Sequence, residues 1–187
     1  MCHDVMGDAK FYEFLLKADR DLCEQVRAVG CSRCGGRLHS ARYPRKPRGA
    51  TLELGAGWDR RESLCCDACR KRVTPPSVRY LGRRVYIGAI VVLACILGRG
   101  STAWRESRLR ALAGVDRRTL ARWRGWWVEA FPRTELWRAQ RGRFMPVVAE
   151  PDLPSSLLGR FAGELQEQLA SMLRFLSPLT TTSWAAT

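Results

Sequence analysis

Cys31-Ser32-Arg33-Cys34 and Cys66-Asp67-Ala68-Cys69 place four thiols in two pairs, each pair separated by two residues. Two intervening residues make one tight turn, and such a turn aims both sulfurs at a common point. Two such turns brought together supply four thiolates, the ligand set of a tetrahedral zinc site with sulfurs roughly 2.3 Å from the metal. With Cys31, Cys34, Cys66 and Cys69 all bound, no coordination position stays open, so the expected ion is structural zinc rather than a catalytic metal. Gly35-Gly36 lets the backbone fold closely behind the first pair, where amide N–H groups can bond to thiolate. The spacer from Cys34 to Cys66 is 31 residues, against roughly 15–20 in compact pairs, and the excess is expected to be a hairpin loop. Cys66 gives the regular spacing to Cys69, which leaves Cys65 as a core thiol or an alternate ligand. His39 is a further candidate metal ligand, but a single histidine on an alternating stretch is expected to be an ordinary polar strand residue.

These turns need a small sheet to hold them, and the flanking sequence supplies one. Arg37 to Tyr43 alternates as a strand does; Leu52–Leu54, Arg61–Leu64 and Arg70–Val73 are further short strands, the last ended by Pro75-Pro76. Pro44-Arg-Lys-Pro-Arg-Gly49 cannot be a central strand and is expected to be an extended basic loop. Ahead of the first turn, residues 8–29 have helical periodicity: Phe11, Phe14 with Leu15, Ala18, Leu22 and Val26 on one face, and Glu13, Asp19, Asp21 and Glu24 on the other. Gly30 stops that helix, and Cys23 within it is expected to be a small core residue.

The charge points to a partner. Of 32 basic and 18 acidic residues, residues 27–124 hold 23 and 6, a local excess of +17, while residues 1–26 are net −3 and residues 125–187 are neutral. An excess confined to one stretch marks a polyanion-binding surface, and nucleic acid is the expected polyanion. Of the basic residues, 28 are arginine, whose guanidinium can fork onto phosphates and guanine edges.

Within the basic stretch, Val85–Leu97 is apolar on nearly every side and suits the central helix of a bundle; Gly98–Ser101 breaks it. Arg105 to Arg124 then predicts a helix, a sharp turn at Gly114, and a second helix capped by Asp116. Leu109, Leu112, Val115, Leu120 and Trp123 form the inner set of two steeply crossing helices. Arg117, Arg118, Thr119 and Arg122 then occupy the first turns of the second helix, where a recognition helix meets base edges and phosphates. Arg45, Arg48, Arg70 and Arg72 are the expected phosphate contacts of the sheet module. The second helix should run through Trp126 and Trp127 to Pro132, with its tryptophans walling a core.

Thr134–Gln140 predicts a short helix, Pro146–Pro154 a linker, and Ser155 to about Leu176 one long amphipathic helix. Its stripe, Leu158, Phe161, Leu165, Leu169, Met172, Leu173 and Leu176, is expected to cover either this chain or a second copy. The tail after it is expected to fray. The expected fold is α+β, mostly α, in four parts: an N-terminal helix (1–30), a zinc ribbon with a basic loop (31–80), a helix-turn-helix (81–132) and a C-terminal helical segment (133–187).

Several function classes are disfavoured. The longest apolar run, 13 residues, is too short to cross a bilayer, and the N-terminus lacks the pattern of a secretory signal, so eight cysteines point to a reduced, cytoplasmic setting rather than to disulfides. No carboxylates cluster for two-metal strand chemistry, and there is no His-Glu-x-x-His, so no catalytic residues are assigned.

Taken in order, Cys31, Cys34, Cys66, Cys69-Arg70-Lys71, Thr74-Pro75 and the Gly114-Val115…Arg122-Trp123 turn resemble the zinc-ribbon/helix-turn-helix proteins of bacterial insertion sequences. The resemblance covers roughly residues 30–130; the long spacer and the helical C-terminus lie outside it. It implies sequence-specific binding of double-stranded DNA on the nucleoid, as a transposition accessory, a repressor of the element's own transcription, or a non-catalytic transposase module. The partners implied are duplex DNA and a transposase or second copy. An RNA-binding or protein-bridging module remains the alternative.

Overall fold

The computed structural model describes residues 5, 7–49, 53–81, 86–97, 107 and 114–181. They form a mixed α+β fold, about 53% helix and 10% strand. Helix α1, Ala9–Val29, begins at Asp8, whose carboxylate accepts the Lys10 N–H at 2.9 Å, and ends at Gly30 with φ at 82°. Its extent is as expected, but its buried face is rotated. Phe11, Tyr12, Leu15, Ala18, Asp19 and Cys23 are buried, while Phe14 is 48% exposed. Asp19 therefore lies on the apolar face, not the solvated one.

The β-module has two small antiparallel sheets. Strands β1 (Leu38–Ser40), β4 (Leu64–Cys66) and β5 (Arg72–Val73) form a sheet in the order β1-β4-β5, with Leu38 opposite Cys66 and Leu64 opposite Val73. Strands β2 (Tyr43–Pro44) and β3 (Arg60–Arg61) form the second. The single strand expected over Arg37–Tyr43 is thus broken after Ser40, where Ala41 N–H bonds to Ser63 O at 2.8 Å. The expected Arg61–Leu64 strand is split between β3 and β4. Pro44 belongs to a strand rather than to the loop, at the end of a two-stranded ribbon where proline is tolerated. Glu53 and Leu54 have no regular structure, and Leu52 lies outside the described residues.

Helix α2 spans Gly88–Leu97 and is buried at every position from Gly88 to Cys95. It starts later than the apolar run because Tyr86 and Ile87 are used in β-bridges to Arg48 and Tyr80. Val85 and the break at Gly98–Ser101 lie outside the described residues, as do Trp104 and the first of the two expected crossing helices, Ser107 excepted. Helix α3 spans Arg117–Gly125, and the chain then winds wider, π-helically, over Trp126–Ala130 before tightening to a 3₁₀ turn at Phe131–Arg133. The expected path to Pro132 is kept, but not as uninterrupted α-helix. Helix α4, Glu135–Gln140, is capped by Thr134.

The long C-terminal helix is two helices, α5 (Ser155–Leu158) and α6 (Leu165–Leu176). Gly163 between them has φ at 94°, and Glu164 opens α6 with a reciprocal capping box to Glu167. A left-handed glycine followed by a cap starts a new helix whatever the apolar period on either side. Leu158, Leu169, Met172, Leu173 and Leu176 are buried in this chain's own core.

That core is one large cluster drawing on α1, Trp58 of the β-module, α2, α3 and apolar residues of the C-terminal segment as far as Leu179. A second, small cluster holds Cys23, Cys31, Leu38, Leu64 and Cys66. Fully buried Asp19 and Arg79 join the segments around the large one: Arg79 Nε donates to Asp19 Oδ2 at 2.7 Å. Asp19 also accepts from Ser77 Oγ at 2.6 Å and Val78 N–H at 2.7 Å. Arg79 spends its other nitrogens on Gly57 O at 3.1 Å and Arg60 O at 3.0 Å, lying 5.2 Å from the centroid of Trp58 and 5.4 Å from that of Tyr80. Such a pair persists in a core because its hydrogen-bonding capacity is met.

Candidate metal centre and basic surface

The two Cys-x-x-Cys turns meet at one end of the three-stranded sheet. One sulfur from each of Cys31, Cys34, Cys66 and Cys69 lies within 4.8 Å of all the others. The closest cross-turn approaches are Cys31 to Cys69 at 3.6 Å and Cys34 to Cys66 at 3.5 Å. Four sulfurs about 2.3 Å from a tetrahedral centre are about 3.8 Å apart, so the set is sized for one ion. Sulfur-only ligation suits zinc or iron.

Both turns are folded by the same backbone device. Cys31 N–H bonds to Gly36 O at 3.0 Å in the first, and Cys66 N–H bonds to Lys71 O at 3.0 Å in the second. Each has a left-handed residue after its second cysteine: Gly35 at φ 71° and Arg70 at φ 59°. Gly36 is required by proximity, since a Cβ there would stand 2.8 Å from Cys66 Sγ. Backbone N–H groups of Arg33 and Cys34 pull the Cys31 thiol down to about 6. Cys66 is pushed up to about 12: the Cys69 N–H favours its thiolate, but burial and the neighbouring sulfurs outweigh it. Crowded sulfurs cannot all ionise alone, and a cation among them reverses that balance.

Cys65 is not part of the set; its thiol turns to the backbone, 3.5 Å from Arg70 O and 3.7 Å from Cys66 O. His39 faces Cys65 across the sheet, with Nε2 3.7 Å from Asp67 Oδ2, and is likewise outside the sulfur cluster.

The basic helix is built from its cap. Asp116 Oδ1 accepts the Thr119 N–H at 2.7 Å, and Asp116 Oδ2 accepts the Thr119 hydroxyl at 3.1 Å. These bonds hold the Asp116 carboxyl below the ordinary carboxylate range. Gly114 turns the chain into the cap at φ 59°. Val115, Leu120 and Trp123 are buried, and Arg117, Arg118, Ala121 and Arg122 are exposed. Thr119, assigned from sequence to the contact surface, is buried and committed to Asp116. Trp123, Trp126, Trp127 and Phe131 pack edge-on or tilted against one another or a neighbouring ring, as a core wall does.

The four arginines expected to hold phosphates fall in different places. Arg45 stacks its guanidinium over Tyr80 at 4.7 Å. Arg48 is exposed, with its carbonyl bonded to Ile87 N–H at 3.1 Å. Arg70 and Arg72 are exposed on the second cysteine turn and on edge strand β5. Sequence reasoning missed the Asp19–Arg79 pair. A signal was present: Asp19 stands four residues after Leu15 and seven after Tyr12, inside the apolar stripe.

Among the described residues, no helix is long and apolar enough to cross a membrane. Compared with protein-family models, curated proteins and solved structures, the chain matches none.

Proposed function

We propose that this chain is a zinc-dependent, sequence-specific double-stranded DNA-binding protein, serving a bacterial mobile element as a transposition accessory or transcriptional regulator. One observation carries the reading. Helix α3 is clamped into the core by Val115, Leu120 and Trp123 while its first two turns turn Arg117, Arg118 and Arg122 outward. A rigid helix N-terminus with forked cations is what a major-groove reader needs, because both the dipole and the guanidinium groups favour phosphate and guanine acceptors. The local excess of positive charge supports it. In this reading the four-cysteine site is a structural zinc centre of a zinc ribbon, and Gly114 is the turn of a helix-turn-helix.

The test is selection of duplexes from a random pool, followed by titration of the selected site and a scrambled one. Arg118→Ala with Arg122→Ala should abolish the preference, on the order of 10-fold or more for each lost base contact, without lowering bound zinc. Unchanged discrimination would reject the helix assignment. Tighter binding of structured RNA than of any duplex would favour the RNA-binding alternative.

A further inference from the structure

We infer that the loop carrying Lys46 and Arg48 is a phosphate clamp on the same duplex that helix α3 reads, and that Arg70 and Arg72 lie outside this footprint. The inference rests on the DNA-binding reading and adds to it which parts of the basic stretch act together.

The loop is fastened to the helix through a short chain of contacts. Arg48 forms a parallel bridge with Tyr86, and its carbonyl accepts the Ile87 N–H at 3.1 Å. The Tyr86 ring then stands edge-on to Trp123 of α3, centroids 4.9 Å apart. At the loop's other end Arg45 N–H bonds to Asp59 O at 2.6 Å, and its guanidinium lies over Tyr80. Tyr80 is itself bridged to Ile87. Loop and helix therefore share one support, the segment entering α2, and Trp123 is the neighbour in sequence of exposed Arg122. Pro47 stiffens the loop from within and Pro44, paired in β2, fixes its entry, so its cations are positioned at little entropic cost on binding.

Backbone and side chain do different jobs here. The docking of residue 48 uses its carbonyl, and the Arg48 and Lys46 side chains are exposed. The Arg45 guanidinium is already engaged on Tyr80 and is a positioning group. Arg70 and Arg72 belong to a turn and strand that pack on the small cysteine-lined cluster through Cys69 and Val73, whereas Tyr86 and Trp123 belong to the large core. Charge alone would enlist all four arginines; the packing separates them.

The salt dependence of binding decides it. Affinity of the zinc-loaded full chain for its selected duplex is measured from 50 to 300 mM potassium chloride, with zinc content and circular dichroism as folding controls. Lys46→Ala with Arg48→Ala should lower the slope of log affinity against log salt by about two, one per lost phosphate contact, and leave the preference for selected over scrambled duplex intact. Arg70→Ala with Arg72→Ala should leave the slope unchanged. An unchanged slope in the first variant, or an equal drop in the second, overturns the shared footprint while leaving the helix reading in place. No salt-dependent duplex affinity in the unaltered protein overturns both.

Discussion

The four-cysteine centre and the Asp19–Arg79 pair both fasten parts of the chain far apart in sequence, by opposite means. The cysteine site joins two turns that each fold on themselves, and it lies on a small cluster of its own, Cys23, Cys31, Leu38, Leu64 and Cys66. Its sulfurs are crowded: backbone N–H groups favour the thiolate at Cys31, whereas burial and the neighbouring sulfurs disfavour it at Cys66 unless a cation sits among them. The ion pair carries its own counter-charge, is fully buried, and binds α1 to the β-module and to the segment entering α2. On the proposed reading one fastening is conditional on an ion and local in reach; the other needs none and ties the β-module to the large core. The protein is accordingly expected to lose its sheet before its helices.

Metal removal has the largest expected effect. In small zinc modules binding contributes on the order of 10 kcal/mol of folding free energy. Chelation should therefore abolish protection of β1, β4 and β5 amides from hydrogen exchange. Most helical ellipticity should remain, because α2, α3 and α6 pack in a cluster that, among the described residues, includes none of Cys31, Cys34, Cys66 and Cys69. Loss of all helicity on chelation would show that the two fastenings are one unit and break the comparison.

Breaking the ion pair comes next. Asp19→Ala leaves the Arg79 guanidinium buried beside two aromatic rings without its carboxylate, a loss expected near 3–5 kcal/mol. Ser77 Oγ and Val78 N–H lose their acceptor at the same time. Urea unfolding followed by helical ellipticity should report it, while zinc stoichiometry stays unchanged. A shift below about 1 kcal/mol would mean that water or a backbone carbonyl replaces the carboxylate, and that packing rather than the pair joins α1 to the β-module.

The two fastenings also differ in how far the sequence discloses them. Cysteine ligands two residues apart are a local pattern, so Cys31, Cys34, Cys66 and Cys69 are legible from spacing alone. So are the ends of α1 and the Asp116 cap, because Gly30 and Asp116 act on their immediate neighbours. Asp19 and Arg79 are sixty residues apart, and each alone looks like a surface charge. The acid in an apolar stripe is a clue only to which face is buried, not to its partner. The split between α5 and α6 was hidden differently: the apolar period continues across Gly159 and Gly163, and a period count gives no weight to one left-handed glycine. Thr119 falls on an outward position only if its hydroxyl is not already bonded to the cap, which short-range spacing leaves undecided. The arginines of the basic stretch are equivalent in sequence and become unlike only when Tyr86 and Trp123 bring one loop to the helix.

The smallest expected effect is also the cleanest probe of the cysteine side, because its two turns are near copies. Both hold a left-handed residue after the second cysteine, yet one has Gly35 at φ 71° and the other Arg70 at φ 59°. A non-glycine residue pays roughly 1–2 kcal/mol for that conformation, and replacing it by glycine returns part of this as added freedom of the unfolded chain, roughly 0.5–1 kcal/mol. Arg70→Gly should therefore stabilise the metal-loaded protein by a net amount under about 1 kcal/mol. Gly35→Ala should destabilise it by about 1 kcal/mol, and since a Cβ at Gly35 meets nothing within 4 Å, that cost is conformational rather than steric. Paired urea titrations at saturating zinc measure both changes. If Arg70→Gly destabilises instead, the Arg70 side chain contributes more than its backbone costs, and the second turn is held by contacts the first does not need.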